Sequence, residues 1–73
     1  MNNQKEQTQD KLYPIMQYFA YGHLPEHLHK ISKPYGDLAI QMAESLPSNA
    51  ETSVALRKLL ESKDAAVRSK VAK

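Results

Sequence analysis

Four prolines, at positions 14, 25, 34 and 47, constrain this chain more than any other feature. Each removes a backbone donor and fixes φ at about −65°, so each must start, end or disturb a helix. Pro14 is tolerated in a first turn, where its missing N–H costs nothing, and predicts a short helix from about Tyr13 to Tyr21. Ile15, Met16, Phe19 and Ala20 then share one face. Gly22 frees the chain to leave that helix, and Pro25 opens the next. Pro34 disfavours helical geometry at Lys33, and Gly36 weakens the following turn, which predicts a break or kink at Ser32–Pro34. Pro47 stops the segment.

Between these marks the apolar residues recur with helical spacing. Tyr35, Leu38, Ala39, Met42 and Leu46 form one expected stripe, and Leu56, Leu59, Leu60, Ala66, Val67 and Val71 another. "SNAE", Ser48 to Glu51, has the order of a capping box, which starts the last helix near Ala50 and lets it run to about Ala72. Glu51 in its opening turn and Arg68, Lys70 and Lys73 near its end complement the helix dipole. The short connection from Leu46 to Asn49 makes the last two helices antiparallel neighbours. The expected fold is all-α: a short N-terminal helix followed by an antiparallel helical hairpin, residues 10–73, behind a flexible polar tail, residues 1–9.

With 73 residues and no cysteine, such a domain is near the lower limit for a self-sufficient core, so association between copies is expected. The lack of cysteine is compatible with a reducing cytoplasm. No apolar run approaches the roughly 20 residues that span a bilayer, and the polar start "MNNQKEQTQDK" does not read as a signal peptide. Ten Lys and Arg against eight Asp and Glu argue against a duplex-DNA binder, which carries a strong basic excess. That balance leaves room for a small anionic ligand held by two or three cations.

The most distinctive residues crowd into "FAYGHLP", positions 19 to 25. His23, His27 and His29 lie close in sequence, but zinc needs three or four protein ligands and no cysteine completes a set, so they read as surface or capping histidines. His23, beside Gly22, is a better candidate for hydrogen-bonding a ligand. Phe19 reads as core. Tyr21, at a helix end beside a glycine, is placed to lay its ring on a planar group such as a base. Lys30 and Lys33, with Ser32 between them, are a solvated face on their own and a phosphate clamp beside a stacking tyrosine. An i, i+4 pair with Asp64 accounts for Arg68 without any ligand. No nucleophile elbow, phosphate-cradling glycine loop or paired carboxylates in an apolar setting appear, so neither an enzyme nor a cofactor is expected.

The order "FAYGHLPEHL … SKPYGDLA … LPSNAET … ALRKLLESKDAAVRS" resembles the small phage sponges that antagonise CBASS, the antiphage defence signalled by cyclic oligonucleotides. These share a helical hairpin with the Thoeris anti-defence sponges. The resemblance runs from about Phe19 to the C-terminus. It implies a compact oligomer, a hexamer, in the host cytoplasm, with cyclic dinucleotides bound between protomers and cyclic trinucleotides at separate sites. The stacking tyrosine of such sponges falls on Tyr21, with Tyr18 as the alternative. The phosphate-binding lysine falls on Lys33, with Lys30 as its rival, and a small polar partner on Ser32. The arginine tied to trinucleotide sites falls on Arg68.

Physical symmetry agrees with that use. A 3′,3′-linked cyclic dinucleotide has two bases and two phosphates about an approximate twofold axis, and a twofold interface offers each patch twice. Sequestration requires no bond cleavage. The leading expectation is therefore a sponge for cyclic dinucleotides such as 3′,3′-cGAMP. The competing expectations are a helical module that docks on and inhibits a host protein and, third, an enzyme that cleaves the messenger.

Overall fold

The computed structural model describes residues 13–72. The proposed tail, residues 1–9, lies outside the described residues, as does Lys73. Three helical elements follow one another: a 3-10 helix at Pro14–Phe19, α1 at Glu26–Ser45 and α2 at Ala50–Val71. No strand occurs among the described residues, and no helix there is long and apolar enough to cross a membrane. The two long helices pack on each other, and the 3-10 helix contacts both.

Tyr13, Met16 and Phe19 from the N-terminal segment meet Ala39 of α1 and Leu56 and Leu60 of α2 in one core. Leu56 is fully enclosed, which contributes about 1.5–3 kcal/mol at the usual value of side-chain burial. Ile15, Tyr35, Met42, Ala43 and Leu59 pack around this centre.

Several expectations need correction. The first helix is shorter and tighter than an α-helix from Tyr13 to Tyr21, ending at Phe19 with Ala20 already extended. Its 3-10 geometry brings Met16 and Phe19, three residues apart, onto the same side and leaves Ala20 exposed. Pro25 does open α1, standing at its N-cap.

The expected interruption at Ser32–Pro34 is absent, since α1 continues through Pro34. An interior proline costs about 3 kcal/mol or more on its own. Here Pro34 and Lys30, whose carbonyl loses its usual partner, lie on the exposed side of the helix. The opposite side is anchored by the buried Ser32, Gly36 and Ala39, and tertiary packing of this kind overrides local preference.

Of the expected stripe of α1, Ala39 is buried and Tyr35 and Met42 pack against the core, but two members do not. Leu38 and Leu46 are exposed, and smaller residues occupy the close contacts. Val71, expected in the stripe of α2, is exposed as well.

The turn between the long helices is closed by groups bonded to the main chain. Leu46 N donates to Met42 O at 2.9 Å, ending α1. The cap of α2 is Asn49, not Ser48: its side-chain oxygen accepts from Thr52 N at 2.9 Å. Thr52 is buried and donates its hydroxyl to Pro47 O at 2.6 Å. Glu51 therefore lies one residue too early to complete a capping box, although it still sits in the first turn.

Candidate functional site

The bend after the 3-10 helix carries Tyr21 back against α1. Leu24 N donates to Tyr21 O at 3.1 Å, so the chain turns sharply here before Pro25. The ring of Tyr21 rests against α1 at Gly36, and only a glycine fits under it. A Cβ built on Gly36 falls 2.8 Å from two ring carbons of Tyr21 and 2.9 Å from the carbonyl oxygen of Phe19. Gly36, read from sequence as a weak point in a helix, is the seat of an aromatic ring.

Polar contacts fix the ring's orientation. Tyr21 donates its hydroxyl to Asp37 Oδ1 at 2.8 Å, and Lys33 Nζ donates to Asp37 Oδ2 at the same distance. The lysine and aspartate are one turn apart on α1, so helical spacing alone brings them together. The ammonium then lies over the Tyr21 ring, 5.6 Å from its centroid, within cation–π range. His29 meets the same ring edge-on, with centroids 5.0 Å apart and planes at 87°.

The cluster shifts the acid–base behaviour of its members. Lys33 first, then the Tyr21 hydroxyl, hold the Asp37 carboxyl below its ordinary 3.8 by hydrogen bonding to its charged form. The bond to Asp37 raises the Tyr21 phenol above 10.0, with partial desolvation and the nearby negative charge adding to it. Lys33 is raised above 10.5, chiefly by its own bond to Asp37. All three groups therefore keep one protonation pattern across the neutral range: neutral phenol, ammonium and carboxylate.

Of the residues expected to touch ligand, the structure brings Tyr21 and Lys33 together and leaves the others apart. Lys30 is 3.9 Å from Glu26, one turn before it, and both side chains are largely exposed. Tyr18 projects outward at 59% exposure, and His23 is exposed on the turn. Ser32 is buried, and its hydroxyl has no hydrogen-bond partner among the described residues. Arg68 is exposed in the last turn of α2. The expected ion pair with Asp64 is not formed; Asp64 lies 3.0 Å from Lys63 instead.

Sequence reading missed Asp37, Gly36 and His29 as parts of the cluster. The i, i+4 relation of Lys33 and Asp37 was available as a signal. The link from Tyr21 to Asp37 spans sixteen residues and required the fold. Among the described residues no group of three or more His, Asp and Glu is gathered closely enough to hold a metal.

A concavity of about 630 Å³ lies elsewhere, between the 3-10 helix and α2, bordered by Tyr13, Ile15, Val54 and Arg57. None of the expected ligand residues lines it. No family model, curated protein or solved structure matches the chain.

Proposed function

We propose that this protein binds cyclic oligonucleotide second messengers, cyclic dinucleotides such as 3′,3′-cGAMP first among them, and holds them intact. It thereby keeps them from the effectors of CBASS immunity in the host cytoplasm. The observation that carries the reading is the joint placement of the Tyr21 ring and the Lys33 ammonium, both aimed by Asp37. An aromatic face takes a base and an adjacent ammonium takes its phosphate. The resemblance described above supplies the class of ligand.

The side chains of Lys33 and Asp37 remain half exposed, so one protomer offers a platform rather than an enclosure. A second copy facing it supplies the other wall and a second tyrosine–lysine pair for the second base and phosphate. Leu38, Ile40, Leu46, Val54 and Val71 are exposed apolar side chains with which such copies can associate, and the assembly we propose is a hexamer. Arg68, exposed and free of Asp64, is the proposed contact for a separate cyclic trinucleotide site.

Isothermal titration of the full chain with 3′,3′-cGAMP and a panel of cyclic di- and trinucleotides tests the reading. Saturable binding is expected, with unaltered ligand recovered after heat denaturation. A folded protein silent to the whole panel overturns it, and recovery of linear products replaces storage with hydrolysis.

A further inference from the structure

Asp37 is the unexpected member of the cluster. A site for an anion gains nothing obvious from a carboxylate placed on its cation. The geometry points to a use for it: we infer that Asp37 is a positioning and selectivity residue that lets the site accept phosphodiesters while denying phosphomonoesters the advantage of their extra charge. This inference rests on the nucleotide-binding reading above and deepens it.

One carboxylate makes two bonds of 2.8 Å, one to the Tyr21 hydroxyl and one to Lys33. It therefore sets the base platform and the phosphate donor relative to each other before any ligand arrives. Lysine has three donors, and the bond to Asp37 uses one. Two remain for a phosphate oxygen, so Asp37 aims Lys33 without exhausting it.

Charge gives the selectivity. At the cluster the ammonium of Lys33 is already matched by the carboxylate of Asp37, and Lys30 faces Glu26 one turn away. A phosphate that reaches Lys33 comes close to the Asp37 carboxylate as well. Its attraction to the ammonium and its repulsion by the carboxylate both grow with its own charge, so Asp37 cancels much of the advantage that a doubly charged phosphate would otherwise have at Lys33. A phosphodiester carries one negative charge, whereas a phosphomonoester carries about 1.5 to 2 at neutral pH. Every phosphate of a cyclic oligonucleotide is a diester. Linear breakdown products and ordinary nucleotides end in monoesters. The same carboxylate that orients the tyrosine thus removes the charge advantage of the abundant competitors.

The test is competition by two linear dinucleotides, GpA and its 5′-phosphorylated form pGpA, against labelled 3′,3′-cGAMP bound to the full-length protein. They differ only in the terminal monoester, so their ratio isolates charge from ring closure. Wild type is expected to bind pGpA no more tightly than GpA despite the extra charge. Asp37→Asn keeps one of the two acceptor oxygens, replaces the other by an NH2 donor and removes the charge, and is expected to shift the ratio toward pGpA by about two- to fivefold, the scale of one exposed charge contact. Asp37→Glu is expected to preserve the wild-type ratio. A merely structural role for Asp37 moves both competitors together and leaves the ratio unchanged, which overturns the inference. So does failure of both linear forms to compete at any concentration, since ring shape then does the selecting. If wild type fails to bind 3′,3′-cGAMP at all, the underlying function has failed, a result separate from an unchanged ratio.

Discussion

The two ends of α1 are both places where the chain reverses, and they are stabilised by different kinds of contact. At the turn into α2, Asn49 accepts from Thr52 N and Thr52 donates to Pro47 O, so the side-chain bonds end on the main chain. At the bend before α1, the principal polar contacts join side chain to side chain, through Tyr21, Asp37 and Lys33. Caps directed at orphan backbone groups are a dependable source of stability. Exposed ion pairs contribute little, with a median near 0–1 kcal/mol across proteins. The first turn is organised for folding, whereas the second commits charged groups where folding has little use for them. That contrast is the main physical ground for placing the proposed binding site at the bend.

Substitutions sharpen the contrast, beginning with the largest effect. Leu56→Ala opens a cavity at the shared core and is expected to cost about 2–5 kcal/mol by chemical denaturation, weakening both regions together. Asn49→Ala removes only the cap and is expected to cost about 1 kcal/mol, with nucleotide affinity unchanged when measured on the folded protein.

Gly36→Ala sets two effects against each other. A helical glycine replaced by alanine normally gains about 0.5–1 kcal/mol. Here the new methyl meets the Tyr21 ring and the fixed carbonyl of Phe19, so the expected outcome is a destabilised protein with a displaced ring. Thermal melting and the tyrosine proton shifts report the two consequences. A more stable variant with an unmoved Tyr21 ring contradicts the close approach.

Lys33→Ala tests the other side. It is expected to leave the melting midpoint within about 2 °C, because exposed pairs contribute little, while nucleotide affinity falls roughly tenfold or more. Equal loss of stability and affinity erases the contrast between the two turns.

The response to pH has the smallest expected effect. Asp37 is depressed in the folded protein, so its contribution is complete above the ordinary 3.8 and disappears as pH falls through the lower folded value. Tyr21 and Lys33 are raised, so theirs is complete below 10.0 and 10.5 and is lost as pH rises through the higher folded values. The absorbance of tyrosinate and the Tyr21 Cζ shift, which report ionisation of the phenol itself, are expected to show no ionisation of Tyr21 from pH 5 to pH 9. Ionisation of the Tyr21 phenol within that window contradicts the assignment of its partners.

The helical hairpin was legible in the sequence because Pro25 and Pro47 bracket α1 and the apolar residues before and after Pro47 recur with helical spacing. Pro34 misled, since its local cost was plain while the packing of Ser32, Gly36 and Ala39 that overrides it depends on distant residues. Helical spacing puts both Leu38 and Ala39 in the expected stripe of α1, yet the close helix contact takes the small Ala39 and leaves Leu38 exposed. At the site, Tyr21 and Lys33 stood out by chemical type. Asp37 did not, because its role depends on a ring delivered by another segment.

The most direct test of the central claim is a titration of isotopically labelled full-length protein with 3′,3′-cGAMP, followed residue by residue by NMR. The account predicts saturable changes centred on Tyr21, Lys33, Gly36 and Asp37, with the backbone amides of Pro47-flanking residues 46 and 48–52 unmoved. Absence of any change, or changes confined to the turn capped by Asn49, contradicts it.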